Sequence, residues 1–427
     1  MKRHYAILVS ILALALAPRL MGLFYIAPND FYASPWYRGE GGDAAEYSTI
    51  AVNLAQGHGF SLEGRATNIR PPLYPFFLAA VYKVFGNENL TAVRGMQIIL
   101  ALATLMLFWL FTRRLTASVD TAHVATLVLG LYPRFVAYNL VLLTETIFFG
   151  LILATLFGAL LWYETKKSIW LTGAMGMLAL AALTRPTALY VAPFLLLWAG
   201  YVHGKTSSPR QSLSEARVNS AQKKYHFLLP GLLLFAALTG MWIVRNYIQF
   251  NSFTFSNKSG GGLAEAWDRT ILEPLGISTR DILTPYKHLS EEEFAKAGYK
   301  LFFTEIRDHP TLITKILFLK ATYWFNPFVK SSSGLFRALH ATFTSVLFIL
   351  GAYGLWRYSQ ERGKETPLLF LLLMGVFSAM HILTVPYHRY RFPVIDPYLI
   401  LFASYAIVVF WHRLKRVWIP KISSGNA

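Results

Sequence analysis

The sequence predicts an all-α, polytopic helical membrane protein, and three observations carry that prediction. Apolar runs of about 20 residues, enough to cross a hydrocarbon core, recur along the chain, and 55% of its 427 residues are hydrophobic. The runs lack the in-out alternation of a membrane barrel, and backbone polar groups in lipid must be satisfied internally, which leaves helices. Lys and Arg outnumber Asp and Glu by 40 to 22 and gather in short loops beside the apolar runs, a topology signal rather than a nucleic-acid surface. Cysteine is absent, so disulfides and thiolate metal sites are excluded.

The elements follow in order. About ten spans are expected, near 6–25, 90–111, 121–138, 144–163, 169–184, 187–202, 227–247, 337–356, 367–385 and 394–411. The first follows Lys2 and Arg3, and its Ala15-Leu16-Ala17 triplet imitates a signal-peptidase site. Pro18 would directly follow that cut, and apolar residues continue to Ile26; an uncleaved span with a cytoplasmic N-terminus is expected. Arg113 and Arg114, Lys166 and Lys167, and the basic stretches 357–364 and 413–416 then fall on the same side as Lys2 and Arg3. Both termini are therefore placed in the cytoplasm of a plasma (inner) membrane protein. The whole chain, 1–427, reads as one membrane domain, with a Ser-rich, basic cytoplasmic linker at 204–226.

On the opposite, extracytoplasmic side, the connections 26–89 and 248–336 are far longer than connectivity requires, and function is expected there. The first should hold helices at 44–55 and 72–85, the latter with Pro in its first turn and Gly86 at its end. In the second, Ser290 to Glu293 forms a capping box, and Asp308-His309-Pro310 opens a helix towards Trp324. That helix is long enough to be considered as a span, but Lys315 and Lys320 favour a place in the outer interface.

The stretch 41–75, GGDAAEYSTIAVNLAQGHGFSLEGRATNIRPPLYP, gathers an acid, a tyrosine, a base and a proline pair. With it go Thr144-Glu145 opening the fourth span, 242–247 (WIVRNY) and 388–393 (HRYRFP). Asp43 with Tyr47, the 53–59 segment NLAQGHG, Arg70-Pro71-Pro72-Leu73-Tyr74-Pro75 and these later segments, in that order, resemble the GT-C glycosyltransferase superfamily. The branch they resemble contains protein O-mannosyltransferases and the aminoarabinose transferase of lipid A. The resemblance implies a membrane enzyme that takes a sugar from a polyprenyl-phosphate carrier and attaches it, with inversion, to a protein, lipid or glycan acceptor on the outer face.

The residues fit that chemistry. An acceptor hydroxyl needs a nearby carboxylate to take its proton, and Asp43 is the expected base; the alternative is a solvated acid in a Gly-rich turn. The superfamily often has an Asp-Glu pair where this chain has Asp43-Ala44; Glu46, three residues on, either replaces the second acid in space or only favours a helix start. Glu145, costly to bury without a partner, is where the resemblance puts an acid facing Asp43 across the cavity, orienting it, binding acceptor or ligating a divalent ion.

A departing lipid phosphate is stabilised by arginine. Arg70, at the place where the resemblance implies a basic residue for the carrier, Arg389 and Arg391 are the candidates. For the last two the alternative is contact with outer-leaflet head groups; Arg185 and Arg245 rank below them.

Tyr47, Tyr74 and Tyr390 are candidate substrate contacts, with Trp267 and Tyr387 beside them, although interfacial aromatics also form belts. No nucleotide site follows from Lys258 to Gly262, which lacks the strand and helix of a phosphate-binding loop, and the histidines have no metal-ligand spacing. The sequence specifies no cofactor; a divalent cation, Mg or Mn, remains open because two acids converge on an anionic donor, although arginines alone can neutralise a single phosphate leaving group. The competing functions are a flippase of lipid-linked sugars, for which the expected internal repeat is not evident, and a lipid-linked oligosaccharide polymerase or ligase.

Overall fold

The computed structural model describes residues 2–26, 42–206, 226–257, 289, 291–308, 310–327 and 334–418. Helix α1 (Lys2–Met21) runs into a π-helical turn, Gly22–Ile26. In the first long connection, α2 (Gly42–Ala55) and α3 (Leu73–Phe85) flank a two-stranded antiparallel hairpin, Ser61–Leu62 with Arg65–Ala66. Gly86, at φ 98°, ends α3 in a backbone region that favours glycine.

Next come α4 (Leu90–Thr116), α5 (Val119–Gly130), α6 (Pro133–Tyr138), α7 (Glu145–Thr165) and α8 (Ser168–Ala182). Asn89 and Ser118 cap α4 and α5, accepting from Ala92 N at 3.0 Å and Thr121 N at 3.1 Å, which satisfies amides left open at a helix start. A 3₁₀ turn, Pro186–Tyr190, leads into α9 (Val191–Thr206), and a second, His226–Leu228, into α10 (Leu229–Phe250). The remaining helices are α11 (Glu291–Asp308), α12 (Pro310–Phe325), α13 (Gly334–Arg362), α14 (Glu365–Leu383), the four-residue α15 (His388–Arg391) and α16 (Asp396–Trp418).

Each of the ten expected spans falls on helix, and the fold is a polytopic helical membrane protein. Among the described residues, eight helical segments are long and apolar enough to cross: those built on α1, α4, α7, α9, α10, α13, α14 and α16. The other two expected spans are shorter. Gly130 and Pro133 break the run at 121–138 into α5 and α6, 12 and 6 residues long, and α8 has 15. Helix α12, at 16 residues, is not among the eight. Ser290, His309, Trp267, Lys258 to Gly262 and most of the linker at 204–226 lie outside the described residues.

Close helix contact is made possible by small residues. A Cβ on Gly354 of α13 would collide with the Phe402 carbonyl of α16, and one on Gly351 would come within 3.0 Å of the Leu399 carbonyl. The main apolar core runs through α4, α7, α8, α14 and α16, and a second cluster around Tyr47, Tyr74 and Leu78 lies where α2 packs on α3.

Residues 139–143, between α6 and α7, are not α-helical, and buried side chains satisfy their backbone. Gln97 Nε2 donates to the Asn139 and Val141 carbonyls at 3.0 and 2.9 Å and Arg94 Nε to the Leu140 carbonyl at 2.9 Å, while Arg19 Nε holds the Asn139 side chain through Oδ1 at 2.7 Å. Irregular backbone within apolar surroundings needs such partners. This segment delivers Glu145 to the start of α7.

Candidate active site

The first loop, the start of α7, the end of α8 and the α14–α16 connection bring charged residues together. Asp43 lies in the first turn of α2, one helical turn before Glu46. Arg70 reaches both: its Nη2 donates to Asp43 Oδ1, and its Nε to Glu46 Oε2 at 2.5 Å. Arg389 Nη2 donates to the other Asp43 oxygen and also to the Tyr390 hydroxyl at 2.7 Å. Both carboxylate oxygens of Asp43 are thus held by guanidinium groups from different parts of the chain.

The loop carrying Arg70 is clamped in place. Arg245 Nη1 donates to the Thr67 carbonyl at 2.8 Å and Ser256 Oγ to the Ile69 carbonyl at 2.7 Å, while the Leu73 amide reaches the Leu183 carbonyl at 2.9 Å. Arg245 and the 242–247 segment therefore serve the shape of the first loop. Tyr47 and Tyr74 lie beneath it, edge to face with centroids 5.0 Å apart, and the Arg70 guanidinium sits 4.9 Å above the Tyr47 ring. The Tyr74 hydroxyl donates to Gln97 Oε1 at 2.8 Å, and that tyrosine is fully buried beneath the loop.

Glu145 is fully buried at the start of α7 and pairs with Arg185 Nη2 at 2.6 Å. The pair is close, yet neither Glu145 oxygen accepts a well-aligned hydrogen bond. Arg185 Nε donates instead to Thr144 Oγ1 at 2.5 Å. The Tyr390 ring lies between the two basic groups, with Arg389 4.6 Å and Arg185 5.4 Å from its centroid. Three acids and three arginines thereby form a charge-balanced cluster, and Arg185, ranked low from sequence, is one of its members. Its signal was local: an arginine directly before Pro186, at the point where α8 stops.

Arg391 is not brought into this cluster. It is fully buried, donating from Nε to Asp396 Oδ1 at 2.8 Å and from Nη1 to the Trp324 carbonyl at 3.1 Å. Positions 389 and 391, two apart in a helical turn, point to opposite sides. Only one of them can face Asp43.

The electrostatics follow from this geometry. Burial pushes the Asp43 carboxyl up, but Arg70 and Arg389 outweigh it and hold the group well below the ordinary carboxylate range. Arg70 is pulled down by burial and held above its usual value by Tyr47, Asp43 and Glu46. Asp43 is thus held ionised between the two guanidinium groups. Asp43 and Glu145, the acids open to a divalent ion, are each engaged by guanidinium groups, and among the described residues no three His, Asp or Glu side chains form a metal-ligating group.

Comparison with known proteins gives a family match and several similar folds. A family model described as dolichyl-phosphate-mannose-protein mannosyltransferase matches residues 69–215. The archaeal oligosaccharyltransferase AglB from Archaeoglobus fulgidus, solved in complex with an inhibitory peptide and a dolichol-phosphate, superposes with a TM-score of 0.54 at 12% identity, over 98% of this chain and 52% of that one. ArnT from Cupriavidus metallidurans, solved bound to undecaprenyl phosphate, gives a TM-score of 0.44 at 14% identity, over 93% of this chain and 77% of that one. An uncharacterised protein of Aquifex aeolicus is 29% identical over 249 residues, 55% of this chain and 43% of its own length. The chain spans about half the length of AglB and less than half of the Aquifex protein. The resemblance to the GT-C superfamily is borne out, by the family match over residues 69–215 and by a fold shared with AglB.

Proposed function

We propose that the protein is a membrane glycosyltransferase that moves a sugar from a polyprenyl-phosphate carrier to an acceptor hydroxyl on the extracytoplasmic face. The observation that carries this reading is Asp43 held between Arg70 and Arg389: a general base and the cations for a phosphate leaving group at one point. In the transfer, the acceptor hydroxyl gives its proton to Asp43 and its oxygen bonds to the sugar's anomeric carbon. The bond from that carbon to the carrier phosphate breaks, and the electron pair leaves with the phosphate.

The pairing of Asp43 also sets an order of events. While both its oxygens accept from arginine, Asp43 is a weak base. A carrier phosphate competes for the same guanidinium groups, to which it binds bidentately, and drawing them away restores basicity when donor is present. Glu145, neutralised by Arg185, shapes the other wall, with Tyr390 between Arg185 and Arg389. Any divalent ion would have to displace arginine from Asp43 or Glu145, so no step is routed through one.

The test is a separation of binding from turnover. Asp43→Asn keeps its place between the arginines and is expected to lose about 10²–10⁴-fold in transfer rate, with donor affinity unchanged or tighter. An Asp43→Asn protein that transfers at the wild-type rate would remove the base from this scheme.

A further inference from the structure

Arg389 sits on a four-residue helix, α15, whose first turn has no side-chain cap. A single turn does not hold its own shape in isolation, yet this one must aim a guanidinium at a single carboxylate. What fixes it lies on its other face.

Asp396, 1% exposed at the start of α16, accepts from Arg391 Nε at 2.8 Å with one oxygen and from the Tyr132 hydroxyl at 2.7 Å with the other. Arg134 lies 3.7 Å from that second oxygen, and its Nη1 donates to the His388 carbonyl at 3.0 Å. The two ends of α15 are therefore tied, through His388 and Arg391, to one buried carboxylate and to the start of α6, where Tyr132 and Arg134 lie. None of these groups reaches Asp43.

We infer that Asp396 is a positioning residue: through Arg391 and Arg134 it orients α15 so that Arg389 meets the donor phosphate. This rests on the proposed role of Arg389 in holding the carrier. It also gives Arg391 a task that differs from direct phosphate contact, and it gives a buried acid at the start of a span a role.

The probe is undecaprenyl phosphate, titrated onto purified protein in nanodiscs, with the thermal unfolding midpoint followed for every variant. Arg389→Ala, Asp396→Asn and the milder Tyr132→Phe are compared singly, and the last two are repeated in the Arg389→Ala background. The expected result is about a tenfold rise in Kd for Asp396→Asn and a smaller rise for Tyr132→Phe. Neither should weaken binding further once Arg389 is gone, because the signature of action through Arg389 is non-additivity.

If Arg389→Ala weakens binding but Asp396→Asn and Tyr132→Phe do not, or if they weaken it equally in both backgrounds, the positioning role is overturned while the donor reading stands. If Arg389→Ala itself leaves the Kd unchanged, the donor reading fails and the inference falls with it. Should Asp396→Asn not fold, Tyr132→Phe, which removes one hydroxyl, decides between the same outcomes.

Discussion

Arg185 and Glu145 show how charge is made tolerable at the end of a membrane helix. A fully buried carboxylate survives there because a guanidinium lies 2.6 Å away, and removing one member of such a pair costs more than removing both, since a lone buried charge remains. Arg185→Met is therefore expected to lower stability by about 3–5 kcal/mol, and adding Glu145→Gln should recover most of it, as read by unfolding midpoints in detergent. If the double variant is no more stable than Arg185→Met, the two residues do not act as a pair.

Much at this scale was legible in the sequence. Asp43 and Glu145 are acids at the mouth of an apolar run, Arg70 precedes the proline pair the resemblance marks, and Arg389 is a base on the outer side; the fold gathers all four. Tyr74, expected as an aromatic substrate contact, and Arg391, expected on the carrier phosphate, are both fully buried. A sequence marks which residues stand near a helix end but not which way a single helical turn faces. Once 388–391 is known to be helical, the opposed directions of Arg389 and Arg391 follow from spacing alone. The bond from Glu46 to Arg70 spans 24 positions and has no local signature; only the turn-spacing of Asp43 and Glu46 on one helix hinted at it.

Elements were legible where apolar runs are long. The ten expected spans all lie on helix, and the helices expected in the first loop appear as α2 and α3. Boundaries were less so: the expected span at 121–138 is interrupted because Gly130 and Pro133 end and restart the helix, a break outweighed in the sequence by the apolar residues on either side.

Helix α15 carries a pH dependence of its own. Burial pushes His388 down to about 4, with Arg391 and Arg134 adding to it against a hydrogen bond to the Tyr323 carbonyl. In the unfolded chain the same histidine titrates near its ordinary value of 6.5. Between those values the unfolded state binds the extra proton, so stability is full above about pH 6.5 and falls as pH drops towards 4. Replacing His388 with Phe, which can still stack on Tyr323, should flatten the pH dependence of unfolding across that window by about one proton. An unchanged slope would mean that His388 protonates equally in both states.

For the whole molecule the central expectation is sidedness. From the basic loops, Lys167 is expected with the N-terminus in the cytoplasm and Arg65, on the first-loop hairpin, outside. Both are exposed, and because the chain has no cysteine, Arg65→Cys and Lys167→Cys can each be labelled alone. A membrane-impermeant maleimide applied to intact cells should modify the first and spare the second, with the reverse in inside-out vesicles. Labelling of Lys167→Cys from outside would place the cluster on the cytoplasmic side.

The most direct test of the account is sugar transfer itself: purified protein in native lipid extract, supplied with a panel of labelled polyprenyl-phosphate monosaccharides, with Asp43→Asn beside it. The account predicts that wild type releases carrier phosphate from at least one donor and labels an acceptor, and that Asp43→Asn binds that donor but barely turns it over. If no donor is consumed while the protein carries labelled lipid across a liposome bilayer, and Asp43→Asn does the same, the cluster serves transport and the transferase account is contradicted.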